Sequence, residues 1–307
     1  MVTFKQAVER YVQAKARKKS LTHDRLYLRQ LQAALGAETP LTELTAARIS
    51  AWQDAQLTAT CPRTGRPYAP ASVNRPLAAL RTLLTLAHER WGWLSAVPRI
   101  ELAKEPEGRV RYLEADEEAR LLAAARESKN PELVPAIIVS METGLRRGEL
   151  LGLNWADVDM TRGLIRLDGR RTKSGKRREV PMRQEVYAAL SNLPGEREGR
   201  VFKTRSLRTA FERAVNRAGI QDFHWHDLRH HFASWFVMRG GTLQALKEVL
   251  GHADLKMTLR YAHLSPDHLR DQMTRTARPD HSRTAAEQLT QDAAAAEVTV
   301  EGERNVR

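Results

Sequence analysis

Residues 98–112 restrict the fold of this chain more than any other stretch. In "PRIELAKEPEGRVRYL", Pro98, Pro106 and Gly108 interrupt a charged run that has neither the apolar period of a helix nor the alternation of a strand. Proline removes a backbone donor and fixes φ, so no regular element runs through, and the chain has to build its cores on either side. A length of 307 residues supplies enough material for about two such cores. The expected organisation is a helical module over 1–97, a linker over 98–112, a second module over 113–268 and a tail over 269–307.

The first module reads as helices without strands. Phe4, Ala7, Val8, Tyr11 and Val12 form one apolar stripe, and Leu28, Leu31, Ala34 and Leu35 a second that stops at Gly36. Thr45 is placed to cap a third helix through Trp52, and Ser72 to open a fourth through Leu77, Leu80, Leu83, Leu84 and Ala87, with Pro76 in its first turn. The second module changes character. Helical patterns over 115–127 and 131–142 lead into "GLIRLDGRRTKSGKRREVPM", which alternates on both sides of Ser174-Gly175 and predicts a β-hairpin. Helical patterns resume over 184–193, 206–218, 226–239, 242–250 and 254–264. The fold class expected is mainly α with a small antiparallel β-sheet. After Tyr261 there is no aromatic residue, and the Ala-rich end is expected to be a mobile tail.

Charge narrows the partners. Fifty Lys and Arg face 37 Asp and Glu, a net charge of +13, spread along the chain in a way that suits a polyanion, with a merely basic soluble protein as the plain alternative. The single cysteine, Cys61, excludes an intramolecular disulfide framework and fits a reducing compartment. Met1 to Val12 lacks an apolar signal core, and the apolar run near Leu133 to Met141 is too short for a bilayer. A cytoplasmic protein is expected, with no membrane partner.

Four stretches carry chemistry. In "TGLRRGELLGLNW", Gly144 permits a sharp turn and Arg146 follows at a helix start, where guanidinium and free amides converge on an oxyanion; simple pairing with Glu149 is the alternative. "GRRTKSGKRRE" holds six basic residues in eleven, a finger able to track a phosphate backbone, or else a solvated turn. Together with the basic run Lys15, Arg17, Lys18 and Lys19, its Arg170, Arg171, Lys176, Arg177 and Arg178 are the candidate DNA contacts. "HWHDLRHH" sets His226 and His230 four apart, a spacing that could grip zinc, yet further ligands at customary spacing are missing. The other reading is an imidazole, His226, beside a guanidinium, Arg229, on one phosphate. His224, Trp225 and His231 read as packing or surface residues. In "LGHADLKMTLRYAHLS", Gly251 ends a helix, His252 sits at the turn, Asp254 caps the next helix and Tyr261 lies two turns into it.

In combination, Arg146, Lys173, His226, Arg229, His252 and Tyr261, with "TGLRRGEL", "HDLRHHFAS" and "LGH" followed by tyrosine nine residues on, resemble the signature of the tyrosine recombinase family, the phage integrases and Xer-like site-specific recombinases. The resemblance covers roughly residues 110–265, and the helical region before it is similar to the family's core-binding, SAM-like domain. It implies metal-independent, cofactor-free cutting and rejoining of double-stranded DNA through a 3′-phosphotyrosine. Tyr261 is the implied nucleophile, Arg146 and Arg229 clamp the non-bridging oxygens, His226 takes up or shares the phenol proton, His252 bonds the phosphate and Lys173 protonates the leaving 5′ oxygen. It further implies a homotetramer on two DNA sites, accessory directionality or DNA-bending proteins, and a bacterial cytoplasmic protein that joins the nucleoid on DNA. Other readings compatible with the residues are a dimer resolvase, a type IB topoisomerase-like enzyme and a decayed architectural DNA binder.

One expectation follows from charge alone. Affinity for duplex DNA should fall roughly 10³-fold between about 50 and 200 mM salt if about six phosphates are neutralised. Fluorescence anisotropy across that range measures it, and a flat titration removes DNA as the main partner.

Overall fold

A computed structural model describes residues 1–265 apart from 63, 107 and 170–174. It is mostly helical with one small sheet, and it divides into two compact units, Met1–Gly108 and Arg109–Arg307. The predicted tail, Lys173, Arg170 and Arg171 lie outside the described residues.

In the first unit, α1 (Phe4–Ala14), α2 (Leu21–Leu35), α3 (Ala46–Thr58) and α4 (Pro70–Glu89) bury the stripes legible in the sequence. Thr3 caps α1 reciprocally: its hydroxyl accepts from Gln6 N at 3.3 Å, and Gln6 Oε1 accepts from Thr3 N at 3.0 Å. Phe4, Tyr11, Leu28, Leu31, Leu80 and Leu84 are fully buried, each worth about 1.5–3 kcal/mol relative to exposure. Helix α4 begins earlier than Ser72 suggests. Pro70 occupies the first helical position, which suits its missing N–H, and Pro76 therefore falls in the helix interior rather than in the first turn. The segment read as a linker is fastened to this unit as far as residue 105. Ile100 is buried, Arg81 donates to its carbonyl, and the Asn74 amide brackets Ala103 with bonds of 2.8 and 2.9 Å. Those bonds run to backbone groups, which no side-chain period announces.

The second unit contains α5 (Ala115–Arg126), α6 (Leu133–Thr143), α7 (Arg147–Leu151), the strands β1 (Val158–Asp159), β2 (Leu164–Leu167) and β3 (Arg178–Pro181), then α8 (Gln184–Ser191), α9 (Arg208–Arg217), α10 (Asp227–Met238), α11 (Leu243–Leu250) and α12 (Lys256–Leu259). The sheet is antiparallel in the order β1-β2-β3, with Ile165 opposite both Val158 and Val180. The expected hairpin is β2 and β3; β1 is an added two-residue edge strand, too short to show a period. Helix α6 packs against α8 and α10, and α5 against α9, around Leu133, Ile137, Leu150, Phe202 and Leu228. A smaller cluster holds Phe232, Val237, Leu246, Leu250 and Tyr261. The pattern read as one helix over 254–264 is broken: α12 stops at Leu259, and a 3-10 turn, Ala262–Leu264, follows Tyr261.

Two glycines make the turns that matter. Gly144 ends α6 at φ +64°, and a β-carbon there would lie 2.6 Å from both Leu250 and Phe232 side chains. Gly251 ends α11 at φ +63°; its N–H reaches Glu248 O at 3.0 Å and that of His252 reaches Lys247 O at 3.0 Å, a Schellman closure.

Gly144→Ala should therefore cost more than Gly65→Ala, which has a similar φ of +64° but nothing within 4 Å. The backbone term is about 1–2 kcal/mol for both, and overpacking adds about 1–3 kcal/mol at Gly144 alone. Chemical unfolding of both variants reads the difference; equal losses would mean that Leu250 and Phe232 yield freely.

Candidate active site

The ends of four helices converge on one place in the second unit. Arg146 is the N-cap of α7, with Glu149 one turn on. Glu149 Oε2 accepts the Arg146 N–H at 2.9 Å and Oε1 accepts from Arg146 Nη1 at 3.1 Å. The plain alternative for Arg146, pairing with Glu149, is thus real and coexists with a place at the site. Burial pushes the Glu149 carboxyl up, but hydrogen bonds and charge from Arg178, with Arg146, more than reverse this and hold it below the usual range.

Arg229, the third residue of α10, is 4% exposed. Its Nη1 donates to Gly144 O at 2.7 Å and its Nη2 to Leu250 O at 2.8 Å. Both carbonyls are orphans at helix C-termini, of α6 and α11, where the negative end of the dipole favours a cation. Two of its five N–H groups are spent on these bonds. Burial, then the Arg146 charge, draws its pKa down to about 9, which leaves it charged at neutral pH.

Tyr261 is 2% exposed, and its hydroxyl lies 2.6 Å from His230 Nδ1. Burial raises the phenol pKa, against the lowering pull of Arg260 and Arg229. Burial also depresses His230, aided by His226 and Arg260, to about 4, so the ring touching the phenol is neutral. The imidazole on the tyrosine is therefore His230 and not His226, the residue expected from the sequence. His226 heads α10 with an edge accessible to solvent and meets His230 edge-on, ring centroids 5.1 Å apart at 87°. Protein mass around its ring, then Arg229, lowers its pKa. His252 follows the Gly251 turn and shares a 2.9 Å hydrogen bond with the buried Thr258 hydroxyl; burial, then Arg229 and Arg146, lowers it to about 4. With His230 engaged by Tyr261, the His226 and His230 pair is not arranged as a zinc grip, and among the described residues no group of three His, Cys, Asp or Glu is placed to hold a metal ion. A cleft of about 450 Å³, lined by Arg147, Arg208, His224, Trp225 and His226, opens beside these groups.

Five of the six residues singled out are thus brought together, and Lys173 lies outside the described residues. Among the candidate DNA contacts, Arg17, Lys19, Lys176 and Arg177 are exposed, Arg177 lying 3.5 Å from Glu179, and Lys15 is half-buried. Lys18 pairs with Asp24 at 2.6 Å, the carboxylate that also accepts the Tyr11 hydroxyl. Arg178 is a correction. Its side chain is 7% exposed and forks onto Glu149, because residues 178 and 180 share the inward face of β3. Sequence reading also missed His230 as a partner of Tyr261. The Arg178 signal was present in the register with Val180; the His230 contact, between residues 31 apart, had none.

Residues 111–268 match the phage integrase family. The chain is 30% identical to the integrase of Salmonella phage P22 over 87% of its own length and 78% of that protein. It is 34% identical to the shufflon-specific DNA recombinase of Escherichia coli over 73% of its own length, spanning only 59% of that relative. In structure it resembles the Tn1549 transposon integrase in complex with a circular intermediate DNA, with a TM-score of 0.72 over 90% of this chain and 100% of that one; at 20% identity this bears on fold alone. A mostly helical fold with one small sheet is the class that this chain shares with the solved integrase. The chain belongs to the phage integrase family of tyrosine recombinases.

The buried imidazoles set a pH dependence. His230, His231 and His252 have folded pKa values of about 4, whereas the unfolded chain protonates histidine near about 6.5. The unfolded state then binds more protons between these values, so stability is complete above about pH 6.5 and is lost as pH falls towards 4. Unfolding midpoints from pH 7 to 4.5 should fall, and His231→Gln should flatten the slope. A wild-type midpoint constant over that window contradicts neutral buried rings.

Proposed function

We propose that this protein is a site-specific DNA recombinase of the integrase type, cutting and rejoining duplex DNA through a 3′-phosphotyrosine on Tyr261. The observation that carries the reading is a tyrosine hydroxyl 2.6 Å from a neutral imidazole and close enough to Arg229 for its charge to act on the phenol.

A phenol with an ordinary pKa of about 10 is a poor nucleophile until its proton has somewhere to go. His230 Nδ1 is that acceptor in this reading. Tyr261 Oη attacks phosphorus, the bond to the 5′ oxygen breaks, and the departing oxygen takes a proton from Lys173, a role given by the family resemblance. Arg146 and Arg229 hold the non-bridging oxygens; both are fixed by hydrogen bonds before substrate arrives, so little reorganisation is needed as charge develops. His252 donates to the phosphate, and His226, accessible at the head of α10, lies beside it. Rejoining is the reverse reaction with a different 5′ hydroxyl, and the phosphotyrosine conserves the bond energy. The Tn1549 transposon integrase, similar in fold, was solved in complex with a circular intermediate DNA, which supports DNA as the partner. The tetramer on two sites, the helical 1–97 module as the core-binding domain and accessory directionality proteins complete the proposal. No helix among the described residues is long and apolar enough to cross a membrane.

Tyr261→Phe removes one oxygen and keeps the ring. On a nicked suicide substrate whose 5′ fragment diffuses away, the wild type should accumulate as a denaturant-stable covalent adduct and the variant should form none while binding DNA normally. Peptide mapping should place the nucleotide on Tyr261; an adduct on any of the other five tyrosines, or undiminished cleavage by the variant, overturns the assignment.

A further inference from the structure

Arg178 is a buried guanidinium that the mechanism above does not use. It lies on β3, directly across a carboxylate from a phosphate-clamping arginine. Its Nη1 and Nη2 donate to Glu149 Oε1 and Oε2 at 3.1 and 2.7 Å, and its Nε to Val249 O at 2.9 Å. A carboxylate has about four acceptor positions. At Glu149 two are filled by Arg178 and two by the Arg146 backbone N–H and Nη1. The Arg146 guanidinium thus gives Glu149 one N–H bond of the five it has to offer.

Without Arg178, half of the acceptor positions of a buried carboxylate are left empty, which is costly. The group able to fill them is already in contact: Arg146 can swing its guanidinium from one bond to a two-pronged fork, the geometry that arginine and carboxylate favour. That fork would spend the donors that face a phosphate. We infer that Arg178 is a positioning residue that saturates Glu149 and so keeps Arg146 free for the scissile phosphate. The same side chain holds the last turn of α11 through Val249, next to the Leu250 carbonyl taken by Arg229. It also lies close over Gly251, where an added β-carbon would be 2.9 Å from its Nη1. Arg146, Arg229 and the His252 turn are therefore referred to one buried group. Lysine cannot replace it, having a point charge in place of a planar fork.

The inference rests on the recombinase reading, and its test separates the two. Single-turnover cleavage of saturating suicide DNA is measured for wild type, Arg178→Met, Glu149→Gln and the double variant, with DNA affinity and thermal unfolding alongside. Arg178→Met should bind DNA within about twofold of wild type and cleave on the order of 10²-fold more slowly, as expected for a displaced clamp. Adding Glu149→Gln should recover at least about tenfold of that loss, since a neutral amide does not capture Arg146. A residue that only stabilised the fold would give a double variant slower than either single one. If Arg178→Met does not fold, Arg178→Lys enters the same cycle. A double variant no faster than Arg178→Met, or a loss of affinity with unchanged cleavage at saturation, overturns the inference. Absence of an adduct in the wild type fails the recombinase reading instead.

Discussion

The second unit is organised around one carboxylate placed between two guanidiniums. Glu149 is 4% exposed at its side chain and is met by Arg146 at 3.1 Å and Arg178 at 2.7 Å. A lone buried charge of this kind would be prohibitive, and removing either partner of a buried pair costs more than the pair contributes. The price of holding Glu149 ionised is what forces α7, β3 and α11 into a fixed relation, because each supplies a group to the same network. The helix ends then provide what side chains do not. Arg229 is fixed by the carbonyls of Gly144 and Leu250 rather than by a carboxylate, dipoles that orient it without neutralising it.

Much of this was legible in the sequence. The stripes of α1, α2 and α4, the hairpin, and the breaks at Gly144 and Gly251 follow from periods and from backbone freedom, which act locally. The arginines and histidines of the site could be picked out by type and spacing because short turns hold them near helix ends. The rest depended on contacts between distant residues. Pro70 and not Ser72 starts α4, since a proline at the first helical position competes well with a serine cap. The break after Leu259 leaves Tyr261 on a short irregular turn whose direction is set by packing against Phe232 and Leu246, not by the pattern around it.

Arg177 and Arg178 illustrate the boundary. As a run of charge they are equivalent, and charge density suggested that both meet DNA. Strand alternation separates them: Arg178 shares the buried face with Val180, while Arg177 is exposed. The period of two was readable; what it buried, a charge, went against the usual sorting of residues. His230 is the opposite case. Its position beside Arg229 was plain, but its function depends on a chain segment that returns to it only in the folded unit.

The count of charges at the site has a thermodynamic consequence. Arg146, Arg178 and Arg229 lie around a single carboxylate, Glu149, so positive charge is in excess there; burial first, and the Arg146 charge second, draw the Arg229 pKa down. The repulsive share of that cost is a penalty on the free protein that an entering anion would relieve. By reciprocity, whatever phosphate gains by settling there the fold gains in resistance to unfolding. A variant that balanced the charges internally would make a sturdier free protein and a weaker grip. Some of the affinity of the site is thus held in advance, as stability the unliganded protein forgoes.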